Sequence, residues 1–97
     1  NFAAKELGNP GKPGVRSLIN RLREQYEGSL SPEEMVDGCL DLVGPIEVDD
    51  RTRDGLIQFA TSFGEVNLDI EDPSSDGQKK VADTLSMIAS TREYQLA

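Results

Sequence analysis

The chain of 97 residues carries 18 acidic against 10 basic side chains, a net charge of -8, with no histidine, no tryptophan and a single cysteine. This length fits one small core rather than two, and the acidic balance argues against nucleic acid or an anionic membrane as partner. Without histidine the chain cannot alone supply Ser-His-Asp, Cys-His or His-ligated metal chemistry, and a lone Cys39 excludes an internal disulfide and a cysteine-only metal site.

Residues 1–14 contain Gly8, Asn9, Pro10, Gly11, Pro13 and Gly14 and read as a flexible linker or N-terminal arm. No basic-then-apolar signal segment opens the chain. Its start at Asn1 reads as that of a fragment or processed form, with any targeting signal upstream. From residue 15 a single helical domain is expected to run to residue 97. Val15, Leu18, Ile19, Leu22 and Tyr26 recur at helical spacing, with Arg16, Arg21, Arg23 and Glu24 on the other face, and Gly28 ends this first helix.

The next helix has the sharpest local signature. Ser31 and Glu34 form a capping box with Pro32 at the first helical position, and Leu30 and Met35 fit the flanking hydrophobic staple. Glu33, Glu34 and Asp37 sit where the helix dipole favours acids. Met35, Val36, Cys39, Leu40 and Val43 supply the apolar face, and Gly44 followed by Pro45 stops it.

Asp49 or Asp50 caps a third helix, whose buried stripe is Leu56, Ile57, Ala60 and Phe63 with Phe59 at its edge, and Gly64 closes it. Residues 65–78 form a polar connection. The alternation Val66, Leu68, Ile70 within it suits a short strand, but no second strand is visible to pair with it, so an extended loop docked on the helices is preferred. A last helix runs from about Gln78 almost to the end on Val81, Leu85 and Ile88, with Arg92 snorkelling. Lys79 and Lys80 near its start oppose the dipole preference. The expected fold is all-α, a small four-helix-bundle-like domain with an N-terminal arm and an acidic loop before the last helix.

Charge is unevenly distributed. Residues 1–30 carry five basic and three acidic side chains, whereas residues 31–97 carry five basic and fifteen acidic. The functional expectation is an acidic docking surface for a protein partner or neighbouring domain of basic character, built from Glu33, Glu34, Asp37, Asp41, Asp49 and Asp50. The alternative is that these acids only solvate a small domain. A second functional reading places calcium or another cation on Asp69, Glu71, Asp72 and Asp76, although an EF-hand register from Asn67 lacks both the required glycine and the terminal glutamate. Carboxylate pairs carry little weight in so acidic a chain, and Cys39 between Val36 and Leu40 reads as a buried structural thiol. No intrinsic catalytic activity and no cofactor are expected. The longest apolar run is far short of the roughly 20 residues a membrane span needs.

The order Ser31-Pro32-Glu33-Glu34-Met35-Val36-Asp37, then Leu40-Asp41-Leu42-Val43-Gly44-Pro45, then Arg51-Thr52-Arg53 with Leu56, and finally Val81 to Ile88 with Ser90, Glu93, Tyr94 and Gln95, forms a larger pattern. It resembles the C-terminal segment of the bacterial family catalogued as domain of unknown function 1800, over about residues 30–97; the tails of planctomycete cytochrome-associated proteins are similar too. The family typically ends in a Ser-Pro-Glu-Tyr/Phe-Gln-like phrase, and Ser90-Thr91-Arg92-Glu93-Tyr94-Gln95 departs from it by an inserted residue and a missing proline. The resemblance implies a terminal helical module of a longer, often exported cell-envelope protein, and brings no catalytic residues. Two functional classes stand beside the docking module: a cation-stabilised domain, and an accessory piece of an enzyme completed by upstream domains.

Overall fold

The computed structural model describes residues 2–44, 47–68 and 75–96, and the chain is mostly helical. Among the described residues the elements run α1 (Phe2–Leu7), α2 (Pro13–Gln25), β1 (Ser29–Leu30), α3 (Pro32–Val43), α4 (Asp50–Thr61), β2 (Val66–Asn67), α5 (Asp76–Ala89) and α6 (Arg92–Leu96). The helix α5 is the hub: α1, α3 and α4 pack on it, and α2, β2 and α6 touch it. Val81, Ala82, Leu85 and Ile88 of α5 are fully buried together with Ile19 and Leu22 of α2, Met35, Val36 and Cys39 of α3, and Leu56 and Ala60 of α4.

The capping box at the start of α3 is formed in both directions. The Glu34 N–H donates to Ser31 Oγ at 3.3 Å and the Ser31 N–H donates to Glu34 Oε1 at 2.9 Å. Two amides that the first helical turn would leave unpaired are thereby satisfied. Leu30 and Met35, the staple pair, are both buried. Of the two candidates for capping α4, Asp49 does so, its Oδ1 accepting the Thr52 N–H at 2.8 Å. In α4, Leu56 and Ala60 are buried, while Ile57, and Phe63 in the turn just after the helix, are half-buried against the core. Pro45 and Ile70 lie outside the described residues.

Three expectations are corrected. First, residues 2–7 are a helix docked on α5, with Ala4 buried, rather than an arm. Gly8, just past α1, lies beside α5, where a Cβ would come to 3.4 Å from Ser86 Cβ, an ordinary contact. The Gly/Pro-rich residues after α1 form a turn in which the Gly11 N–H donates to Asn9 Oδ1 at 2.9 Å and Lys12 pairs with Glu6 at 3.4 Å. Second, Val66–Asn67 do pair, antiparallel to Ser29–Leu30, in register Ser29 with Asn67 and Leu30 with Val66. Glu27 and Gly28, both at positive φ, turn the chain out of α2 so that these two residues reach β2, and the Leu68 N–H donates to the Gly28 carbonyl at 2.7 Å. Third, the last helix is broken at Ser90–Thr91. Ser90 Oγ and Thr91 Oγ1 turn back onto the carbonyls of Ser86 and Ile88, and Thr91 Oγ1 then accepts the Tyr94 N–H at 3.2 Å to start α6. Arg92 is exposed at the start of α6 rather than laid along the core.

Candidate functional site

The six acids expected to make one docking surface are distributed by the fold over four settings. Glu34 is held in the capping box. Asp37 is clamped by Arg53 of α4, whose Nε and Nη2 donate to Oδ1 at 3.2 and 3.1 Å and whose Nη2 reaches Oδ2 at 3.1 Å. Such a fork-to-carboxylate pair fixes orientation, but both side chains are substantially exposed, so it adds little to stability. Hydrogen bonding to Asp37, and then the fields of Asp37, Glu33 and Asp54, push the pKa of the Arg53 guanidinium above its ordinary value. Asp37 thus contacts the arginine at the α3–α4 edge, Glu33 and Asp54 act on it through their fields, and Asp50 is exposed one helical turn before Asp54. Asp41, one helical turn beyond Asp37 on α3, lines an open trough between α2 and α3 with Arg21 and Glu24, and the Tyr26 phenol is pushed up first by burial and then by Glu34, Asp41 and Asp37 together.

Asp49 belongs to the fourth setting, where α6 meets the start of α4. Its backbone N–H donates to Glu93 Oε2 at 3.1 Å. Glu93 is held below the usual glutamate range first by the Thr52 hydroxyl and then by this amide. Asp49 is lowered mainly by the Thr52 backbone N–H, then by the Thr52 side chain. Both carboxylates sit at the positive end of the α4 dipole. A carboxylate whose folded pKa is depressed contributes stability that is present above its unfolded pKa and lost as pH falls through the folded value. Glu93→Gln is therefore expected to lower the melting temperature at about pH 7 and to converge on the wild type as acidification takes the folded glutamate through its depressed pKa. Paired thermal melts check this.

Asp76, exposed in the first turn of α5, is described, whereas Asp69, Glu71 and Asp72 of the suggested cation loop lie outside the described residues. Among the described residues no group of three or more His, Cys, Asp or Glu side chains is arranged to hold a metal ion. Cys39 is fully buried, and burial pushes its thiol up to about 12, so it stays protonated near neutrality. Lys80 finds a use that the dipole argument does not supply: its ammonium lies 5.9 Å from the centre of the Phe63 ring, which stacks edge-on with Phe59. No helix among the described residues is long and apolar enough to cross a membrane.

Sequence reasoning missed Arg53 and Glu93 as organising residues. Their partners are 16 and 44 residues away, and only the packing of α3, α4 and α6 brings them together. The chain matches no protein-family model, no curated protein and no solved structure.

Proposed function

We propose that this chain is a non-catalytic helical docking module of a larger bacterial protein, a small bundle of the four longer helices α2 to α5, which presents the acidic α3–α4 edge to a basic partner. The observation that carries this reading is that Arg53, paired to Asp37, also lies within the fields of Glu33 and Asp54. Arg53 and the exposed Arg51 supply two positive charges against Glu33, Asp37, Asp50 and Asp54, so this edge keeps an excess of negative charge that a cationic segment relieves on binding. The buried, protonated Cys39 supports a structural role for the one thiol in the chain. The resemblance of residues 30–97 to the end of the bacterial family supports placement as a terminal module.

A lysine-rich peptide, followed by fluorescence anisotropy, tests the reading. Binding is expected at low salt and is expected to weaken steeply as the ionic strength rises past about 0.15 M, where the Debye length is about 8 Å. Joint Glu33→Lys and Asp54→Lys substitution should weaken it by about tenfold, whereas Asp83→Lys, on the exposed side of α5, should change it little. Equal losses from both variants, or binding indifferent to salt, would overturn the proposal.

A further inference from the structure

The trough between α2 and α3 is lined by none of the edge residues Glu33, Asp37, Arg53 and Asp54, and a role for it is independent of whether that edge docks a partner. It is an open groove of about 420 Å³ in which Arg21 and Glu24 of α2 stand beside Asp41 and Leu42 of α3. Along α2 it continues into a second hollow of about 560 Å³, which shares Arg21 and Glu24 and adds Arg16. The two helices approach closely beneath it because Gly38 has no side chain: a Cβ there would lie 2.6 Å from Leu22 Cδ2 and 3.0 Å from Tyr26 Cε2.

Arg21 and Asp41 line the same hollow yet form no ion pair with each other, and Arg16 is likewise exposed without a carboxylate partner among the described residues. Across the two hollows the α2 wall carries Arg16 and Arg21 against Glu24, a net positive charge, and the α3 wall carries Asp41, with Arg21 and Asp41 lining the same hollow. Such a surface complements itself. A two-fold axis lying in the interface and running along the trough carries α2 of each copy onto α3 of the other, so the basic wall faces the acidic wall twice.

We propose that a second copy of this chain docks on this trough, with Arg21 of each copy paired to Asp41 of the other and the half-buried Leu42 giving the contact an apolar floor. The net charge of -8 on each copy opposes the approach, and salt near the physiological range screens that long-range repulsion more than it screens pairs in direct contact. The association is of the weak, reversible class that small, polar interfaces support.

Sedimentation equilibrium at about 0.15 M ionic strength, with protein from micromolar to millimolar concentration, tests the proposal. The wild type should pass from monomer to dimer. Arg21→Glu and Asp41→Arg should each weaken the dimer by about tenfold or more, because every reversal acts at both symmetry-related contacts. The double variant, which exchanges the two charges, should regain the wild-type constant. The two single changes move the net charge in opposite directions, so general repulsion predicts opposite effects and a specific pairing predicts the same effect. All the side chains concerned are exposed, and unchanged melting temperatures will show that the fold is intact. A wild type that stays monomeric, a single reversal that leaves the dimer unchanged, or a double variant no better than the singles would each overturn the proposal.

Discussion

Leu85→Ala is expected to cost about 2–5 kcal/mol, the range for removing a fully buried leucine side chain where the surroundings collapse only in part. Leu85 is fully buried on α5, the helix on which α1, α3 and α4 all pack. Shortening it opens a void at the hub, where no single neighbour can close it without leaving another. A domain of this size holds only about 5–15 kcal/mol in total, and each kcal/mol moves the melting temperature by about 4–8 °C. Two comparisons isolate the cause. Leu85→Met keeps the volume and should cost less than about 1.5 kcal/mol. Met87→Ala, two residues along the same helix and 39% exposed, should stay within about 0.5 kcal/mol of the wild type. Urea unfolding of the three variants gives the order, and a Leu85→Ala chain as stable as Met87→Ala would mean that α5 is not the centre of the core.

What could be read in advance was whatever the chain decides within a turn or two of itself. Ser31 and Glu34 are three residues apart, and their reciprocal hydrogen bonds need only the first turn of α3. The apolar spacing of Val15, Ile19 and Leu22, and of Val81, Leu85 and Ile88, marked the faces that are buried. Long-range partners were invisible for a physical reason. Val66 alternates like a strand residue, but its partner is the two-residue segment Ser29–Leu30, too short to have a period of its own. Asp37 and Asp49 could be recognised as acids on or beside a helix, yet nothing local shows that Arg53 clamps one or that the backbone of the other receives Glu93. The expected single acidic face is divided among a cap, an ion pair, a tertiary latch and a trough. Charge counted along the sequence is silent about which carboxylates the fold engages and which it leaves to a partner.

Glycine substitutions turn the same point into measurements of opposite sign. Gly77 is buried in the first turn of α5, where a Cβ would fall far inside contact distance of the Asn67 carbonyl oxygen and 3.5 Å from Leu68 Cδ2. The obstacle is backbone, and β2 cannot easily retreat. Asn67 is paired with Ser29, the Leu68 N–H is bonded to Gly28, and Val66 and Leu68 are buried on either side. Gly77→Ala is therefore expected to destabilise the chain by about 1–3 kcal/mol or more, the cost of overpacking a site that cannot expand. Gly38→Ala meets only the end of the Leu22 side chain and the Tyr26 ring, which can yield in part, so its penalty should be smaller. Gly55, exposed within α4 with nothing within 4 Å of its missing Cβ, should respond in the other direction. There alanine restricts the unfolded chain and suits the helix, raising stability by about 0.4–1 kcal/mol. Denaturant unfolding of the three alanine variants should rank them Gly55, Gly38, Gly77 from most to least stable. A Gly77→Ala variant that matches the wild type would show that β2 does not press on the start of α5, and that the β1–β2 pairing does not brace the hub helix.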